Sequence, residues 1–84
     1  MDLQAQFETL VQKVKTGEGI KKSPTQTEKL KLYAWFKQAT EGDVSGEAPT
    51  GFDIVGKAKY KAWSEVKGLS KEEAMKNYIS FFEA

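Results

Sequence analysis

Tyr33, Phe36 and Lys37 lie three and four positions apart. On a helix that spacing gathers two aromatic faces and one ammonium into a single patch. A flat ring can stack on the aromatics while an anion pairs with the lysine. The combination suits a nucleotide-like ligand, which carries both a base and a phosphate. Thr40, Glu41, Gly42 and Asp43 close the same stretch.

The rest of the inventory favours recognition over reaction. Neither histidine nor cysteine occurs among the 84 residues. That removes the commonest general base, the commonest metal ligand and all thiol chemistry. All 13 basic residues are lysine and the net charge is only +1. Without arginine the chain lacks the side chain that reads guanine bidentately, which argues against nucleic acid. Lysine still serves phosphate as a point charge.

Other charged features have plain structural explanations. Glu72 and Glu73 fall in a first helical turn and complement the helix dipole. Lys57 and Lys61, one turn apart, read as a solvated face, and Lys21 with Lys22 as a solvated loop. No glycine run forms a phosphate-cradling loop.

These side chains must be positioned by helices. The first is expected from about Asp2 to Lys15, with Leu3, Phe7, Leu10, Val11 and Val14 at helical spacing, Asp2 as N-cap and Gly17 as stop. A loop follows from Thr16 to Lys22. The second helix is expected to open at Ser23, with Pro24 first inside and Gln26 completing a capping box, and to end at Gly42. The stretch from Gly42 to Asp53, holding Gly46, Pro49 and Gly51, reads as a long loop. A third helix should run from Asp53 or Ile54 to Lys67, stopped by Gly68. Ser70 and Glu73 make another capping box, and the fourth helix runs almost to Ala84.

The expectation is an all-α, single-domain four-helix bundle over residues 1–84. No basic, apolar leader opens the chain, and nothing approaches the roughly 20 apolar residues of a membrane span. The default compartment is therefore cytoplasmic.

Projection onto helices exposes an anomaly. Leu30, Tyr33 and Lys37 share one stripe, as do Val55, Lys59, Ala62 and Val66, and as do Ala74, Tyr78 and Phe82. Lysines at a stripe margin can snorkel to water. Lysine and tyrosine mixed into several stripes also fit a shared polar pocket. Trp35 and Trp63 read as core.

Leu32 to Asp43 resembles the signature of the acyl-CoA-binding proteins. So does Gly56-Lys57-Ala58-Lys59-Tyr60-Lys61-Ala62-Trp63, and so does Lys67 to Met75 followed by Tyr78-Ile79. The three separated motifs stand in family order and span about Phe7 to Phe81. The resemblance implies an up-down-down-up bundle that binds and carries long-chain acyl-CoA thioesters without catalysis, cofactor or metal. It implies a monomer whose partner is the acyl-CoA, with no nucleic acid and no stable membrane insertion. Phe36 falls where the family stacks an aromatic on adenine. Tyr33, Lys37 and Lys59 fall where it holds the 3′-phosphate and its surroundings. Lys15 and Tyr78 match further CoA-contacting positions, and Ala34 and Trp35 lie within the same ligand-contacting run.

Four features depart from the pattern. Phe36 replaces a usual tyrosine, and Val55 stands where many members have a lysine. The Thr16–Lys22 loop is longer than in short animal members, and the fourth helix stops about two turns earlier. Beside the carrier reading stand a helical protein-interaction module, a CoA or nucleotide binder that leaves the acyl chain in water, and an enzyme acting on CoA thioesters.

Overall fold

Local signals in the chain mark nearly every helix end. The computed structural model describes residues 2–20 and 23–83, and contains α1 (Leu3–Thr16), α2 (Gln26–Glu41), α3 (Ile54–Glu65) and α4 (Lys71–Glu83). Among the described residues there is no strand. Lys21 and Lys22, expected to be solvated, lie outside them.

Asp2 caps α1 by accepting from the Ala5 N–H at 2.7 Å. Gly17 ends the helix in the left-handed region, at φ 78°, where its N–H reaches the Lys13 carbonyl. Ser70 and Glu73 form the expected reciprocal pair at the start of α4.

The start of α2 differs from expectation. The capping box is Thr25 with Glu28, not Ser23 with Gln26. The Thr25 N–H donates to Glu28 Oε1 at 2.9 Å, and Thr25 Oγ1 accepts from the Glu28 N–H at 3.2 Å. A carboxylate accepts more strongly than the neutral amide of Gln26 and also suits the positive end of the dipole. α3 also ends earlier than Lys67. The Val66 and Lys67 N–H groups bond three residues back, to Trp63 and Ser64, tightening the chain into a turn.

Paired contacts fix the helix directions. Lys59 stands over Tyr33, and Lys37 over Trp63, so α2 and α3 run the same way. The Trp63 indole N–H donates to the Gly42 carbonyl at 2.9 Å, joining the C-terminal ends of both helices. Residues 42–53 therefore carry the chain back along the bundle before α3 begins. The start of α4 meets the end of α2, where Gln38 Nε2 donates to the Leu69 carbonyl. Phe7 meets Tyr78 edge-on at 5.2 Å, and α1 runs with α4. The order is up-down-down-up.

The core gathers Phe7, Val11, Leu32, Ala39, Ala74 and Tyr78, with Leu10, Trp35, Phe36, Met75 and Phe82 packed against it. Trp63 is buried, as expected. Val55 is not inward: it is exposed, and α3 buries only Trp63. The first turn of α3 leaves Ile54 and Val55 exposed, so a stripe that reads as core there faces water. No described helix is long and apolar enough to cross a membrane.

A polar tie closes the C-terminal ends of α2 and α3. Gln38, fully buried, donates to Asp43 Oδ1 at 2.7 Å, and the Gly68 N–H donates to the same oxygen at 2.9 Å. The Gly68 backbone bond, the Gln38 amide and the nearby Lys67 charge hold the Asp43 carboxyl below its ordinary value of 3.8. A folded value depressed this way adds stability above the ordinary value, and that stability is lost as pH falls through the lower one. Asp43→Asn should therefore destabilise the fold at neutral pH and make little difference well below pH 3.8. Urea denaturation of both proteins at the two extremes measures it. A constant difference would mean that the loop uses the shape of Asp43 and not its charge.

Candidate functional site

A groove opens between α1, α2 and α4, with Gly17, Ile20, Ser23 and Pro24 also on its lining. Its volume is about 580 Å³, within the roughly 300–1,000 Å³ of small-molecule sites. Val11 and Val14 come from α1, Leu32 and Phe36 from α2, and Tyr78 and Phe82 from α4. The helical stripes that build the core continue past its edge, so their last members line the groove.

Among the described residues, the groove's charged side chains are Lys15 and Lys29. Both are cations, which attract an anion. Lys15 projects from the last turn of α1, while Tyr33 and Phe36 come from adjacent turns of α2. Phe36 is half-buried and stacks against Phe7 with ring centroids 6.2 Å apart. Tyr33 carries the Lys59 ammonium 5.2 Å above its ring centre. Burial pushes the Tyr78 phenol above its ordinary value of 10.0. The hydroxyl stays protonated and can donate a hydrogen bond.

The structure thus brings Lys15, Tyr33, Phe36 and Tyr78 to one groove, with Lys59 joined to it through Tyr33. Lys37 lies one turn along α2 from Tyr33. It is half-buried, ion-paired with Glu41, and 5.0 Å from the centre of the Trp63 ring. Exposed pairs of this i,i+4 kind contribute only about 0.3–0.5 kcal/mol. A phosphate could take Lys37 from Glu41 at small cost.

Ala34 and Trp35 are not part of this groove. They line a separate cleft between α2 and α3, with Leu30, Ala58, Ala62 and Val66. Ala34 is buried, so its contacts are with the protein's own side chains.

Several lining residues escaped the sequence reading. Val14 and Phe82 are legible in the sequence as members of helical stripes but not as groove residues. Ile20 carries no periodic signal, because it reaches the groove from the loop after α1, just past Gly17 and Gly19. Ser23 and Pro24 also line it from the α1–α2 connection, and Lys29 from the first turns of α2.

Comparison with known proteins gives the same direction. The family model described as acyl CoA binding protein matches residues 4–82. Acyl-CoA-binding protein homolog 1 of Caenorhabditis elegans is 48% identical over 77 residues, covering 92% of this chain and 86% of the relative. The crystal structure of Oryza sativa acyl-CoA-binding protein 2 superposes with a TM-score of 0.85 at 39% identity, over 98% of this chain and 88% of that one. The crystal structure of ACBP from Moniliophthora perniciosa gives 0.83 at 44% identity, over 95% and 76%.

Proposed function

This chain belongs to the acyl-CoA-binding protein family, and from that premise we propose that it binds medium- and long-chain fatty acyl-CoA in the α1–α2–α4 groove and carries it without catalysis. The observation that carries this reading is the groove's lining: aromatic and aliphatic walls whose charges, among the described residues, are lysines. An amphiphile with an anionic, ring-bearing head and a greasy tail matches both halves of that chemistry. The protein acts as a cytoplasmic monomer that forms a protected acyl-CoA pool and does not bind nucleic acid.

Within this reading Phe36 stacks on the adenine, which contributes about 1–3 kcal/mol by analogy with base–aromatic stacking. Lys37, Lys59 and Tyr33 take the 3′-phosphate and its surroundings, at roughly 1.5–3 kcal/mol for each charge-assisted bond. Lys15 and the protonated Tyr78 hydroxyl meet other polar parts of CoA. Ala34 acts by packing behind the binding face, and Trp35 by supporting α2 against α3. No acid–base pair or activated nucleophile is suggested by the lining, so the thioester is shielded and not attacked.

Calorimetry tests the assignment in one series. Palmitoyl-CoA should bind far more tightly than free CoA or palmitate, each of which lacks half of the recognised structure. Lys37→Ala and Lys59→Ala should each weaken palmitoyl-CoA by about 1.5–3 kcal/mol and affect its 3′-dephospho analogue much less. Equal losses on both ligands would remove the phosphate role. Similar affinities for all ligands would remove the carrier reading.

A further inference from the structure

Three of the four large apolar side chains left exposed among the described residues fall within four consecutive positions. Phe52 is 99% exposed, Ile54 76% and Val55 64%. The fourth, Val14, lines the groove already described. The cluster is a built corner. Gly51, at φ 73°, turns the chain just before Phe52, and Asp53 caps α3 by accepting from the Gly56 N–H at 2.9 Å. Phe52 stands at the apex, with Ile54 and Val55 in the first helical turn.

Positive charge is fixed beside this apex. Lys57 Nζ donates to the Gly51 carbonyl at 2.8 Å, which holds an ammonium at the root of the corner. Lys61 is exposed one turn further along the same face. From Gly51 to Ser64 the chain has Lys57, Lys59 and Lys61 against one acid, Asp53, whose carboxylate is engaged in the cap.

We infer that this corner docks peripherally on an anionic lipid bilayer, with Phe52, Ile54 and Val55 entering the headgroup–acyl boundary and Lys57 and Lys61 facing lipid phosphates. Two features favour a bilayer over a protein partner. Phe52 stands almost wholly in solvent, at 99% exposure with Ile54 and Val55 beside it, and lysines flank the three. A bilayer interface accepts a projecting aromatic without shape complementarity. The lysines complement an anionic leaflet, each adding attraction near the surface. The proposed cargo adds a reason, which rests on the carrier reading: an acyl-CoA is an amphiphile, and its carrier meets it at membranes. A small apolar tip with two cations gives reversible docking, not insertion.

Flotation of the full chain with phosphatidylcholine vesicles, with and without phosphatidylserine, tests this in the absence of acyl-CoA. It therefore stands or falls apart from the carrier function. Binding should require phosphatidylserine and weaken with salt. Phe52→Ser/Ile54→Ser should lower partitioning by about tenfold or more for each side chain that fully inserts. Lys57→Gln/Lys61→Gln should lower it by about fivefold per lysine, and only on the anionic vesicles. Helicity and melting temperature should not change, because all four side chains are exposed. Wild-type partitioning in the apolar double variant would overturn the proposal. So would a variant that keeps vesicle binding but loses palmitoyl-CoA affinity, since the corner would then be a cover for the ligand's tail. Failure of the wild type to bind the mixed vesicles would also overturn it and leave the corner to a protein partner.

Discussion

Phe7→Ala should cost about 3–5 kcal/mol of stability, enough to leave much of a small domain unfolded when totals run to roughly 5–15 kcal/mol. Phe7 is 2% exposed, meets Tyr78 edge-on at 5.2 Å and stacks on Phe36 at 6.2 Å. Removing its ring therefore empties the junction of α1, α2 and α4 where Phe36 and Tyr78 meet it. For a chain of this size each kcal/mol shifts the melting temperature by about 4–8 °C. Phe36→Ala is the informative contrast. Phe36 is half-buried and lines the groove, so its loss should cost less stability than that of Phe7 while weakening acyl-CoA by about 1–3 kcal/mol. Phe36→Tyr should be nearly neutral, since the ring face is kept. Thermal melts and calorimetry on the three variants separate the roles. Equal destabilisation by both alanine variants, with unchanged affinity of the folded Phe36→Ala protein, would make Phe36 a core residue.

That contrast also marks how far the chain could be read before its fold was known. Signals carried by one or two residues were legible. Asp2, Gly17, Gly42 and the Ser70–Glu73 box end or begin helices by bonds made within a turn or two. The box expected at Ser23 and Gln26 forms instead at Thr25 and Glu28, whose carboxylate is the stronger acceptor. Periodicity named the faces of the helices but not what covers each face. Val55 sits on an apolar stripe yet is 64% exposed. Ala34 and Trp35 lie in a ligand-like run of sequence but turn to the opposite cleft, since consecutive helical residues point about 100° apart. Ile20 is the converse case, a groove residue whose placement depends on the whole α1–α2 connection. The aromatic and lysine patch was legible because its members share one helix. The groove around it was not, because it needs three.

A series of acyl-CoA chain lengths should show the largest change in affinity. Each methylene removed from water contributes about 0.8 kcal/mol, so four more methylenes could tighten binding by about 200-fold. The polar head contacts are common to every member, and the costs of association and ordering change little along the series. Tail burial therefore dominates the differences even where the head dominates the total. The groove is finite, at about 580 Å³ and shared with the nucleotide, so the gain should shrink once the apolar wall from Val11 to Phe82 is covered. Dissociation constants for octanoyl-, dodecanoyl- and hexadecanoyl-CoA at one salt concentration give the slope and its end. A steep first step followed by a shallower one is the expected shape. A flat series would put the tail in water, and the protein would then be a binder of CoA that protects no acyl chain. The slope speaks to the carrier function directly, because a thioester can be sheltered only if the chain attached to it is held.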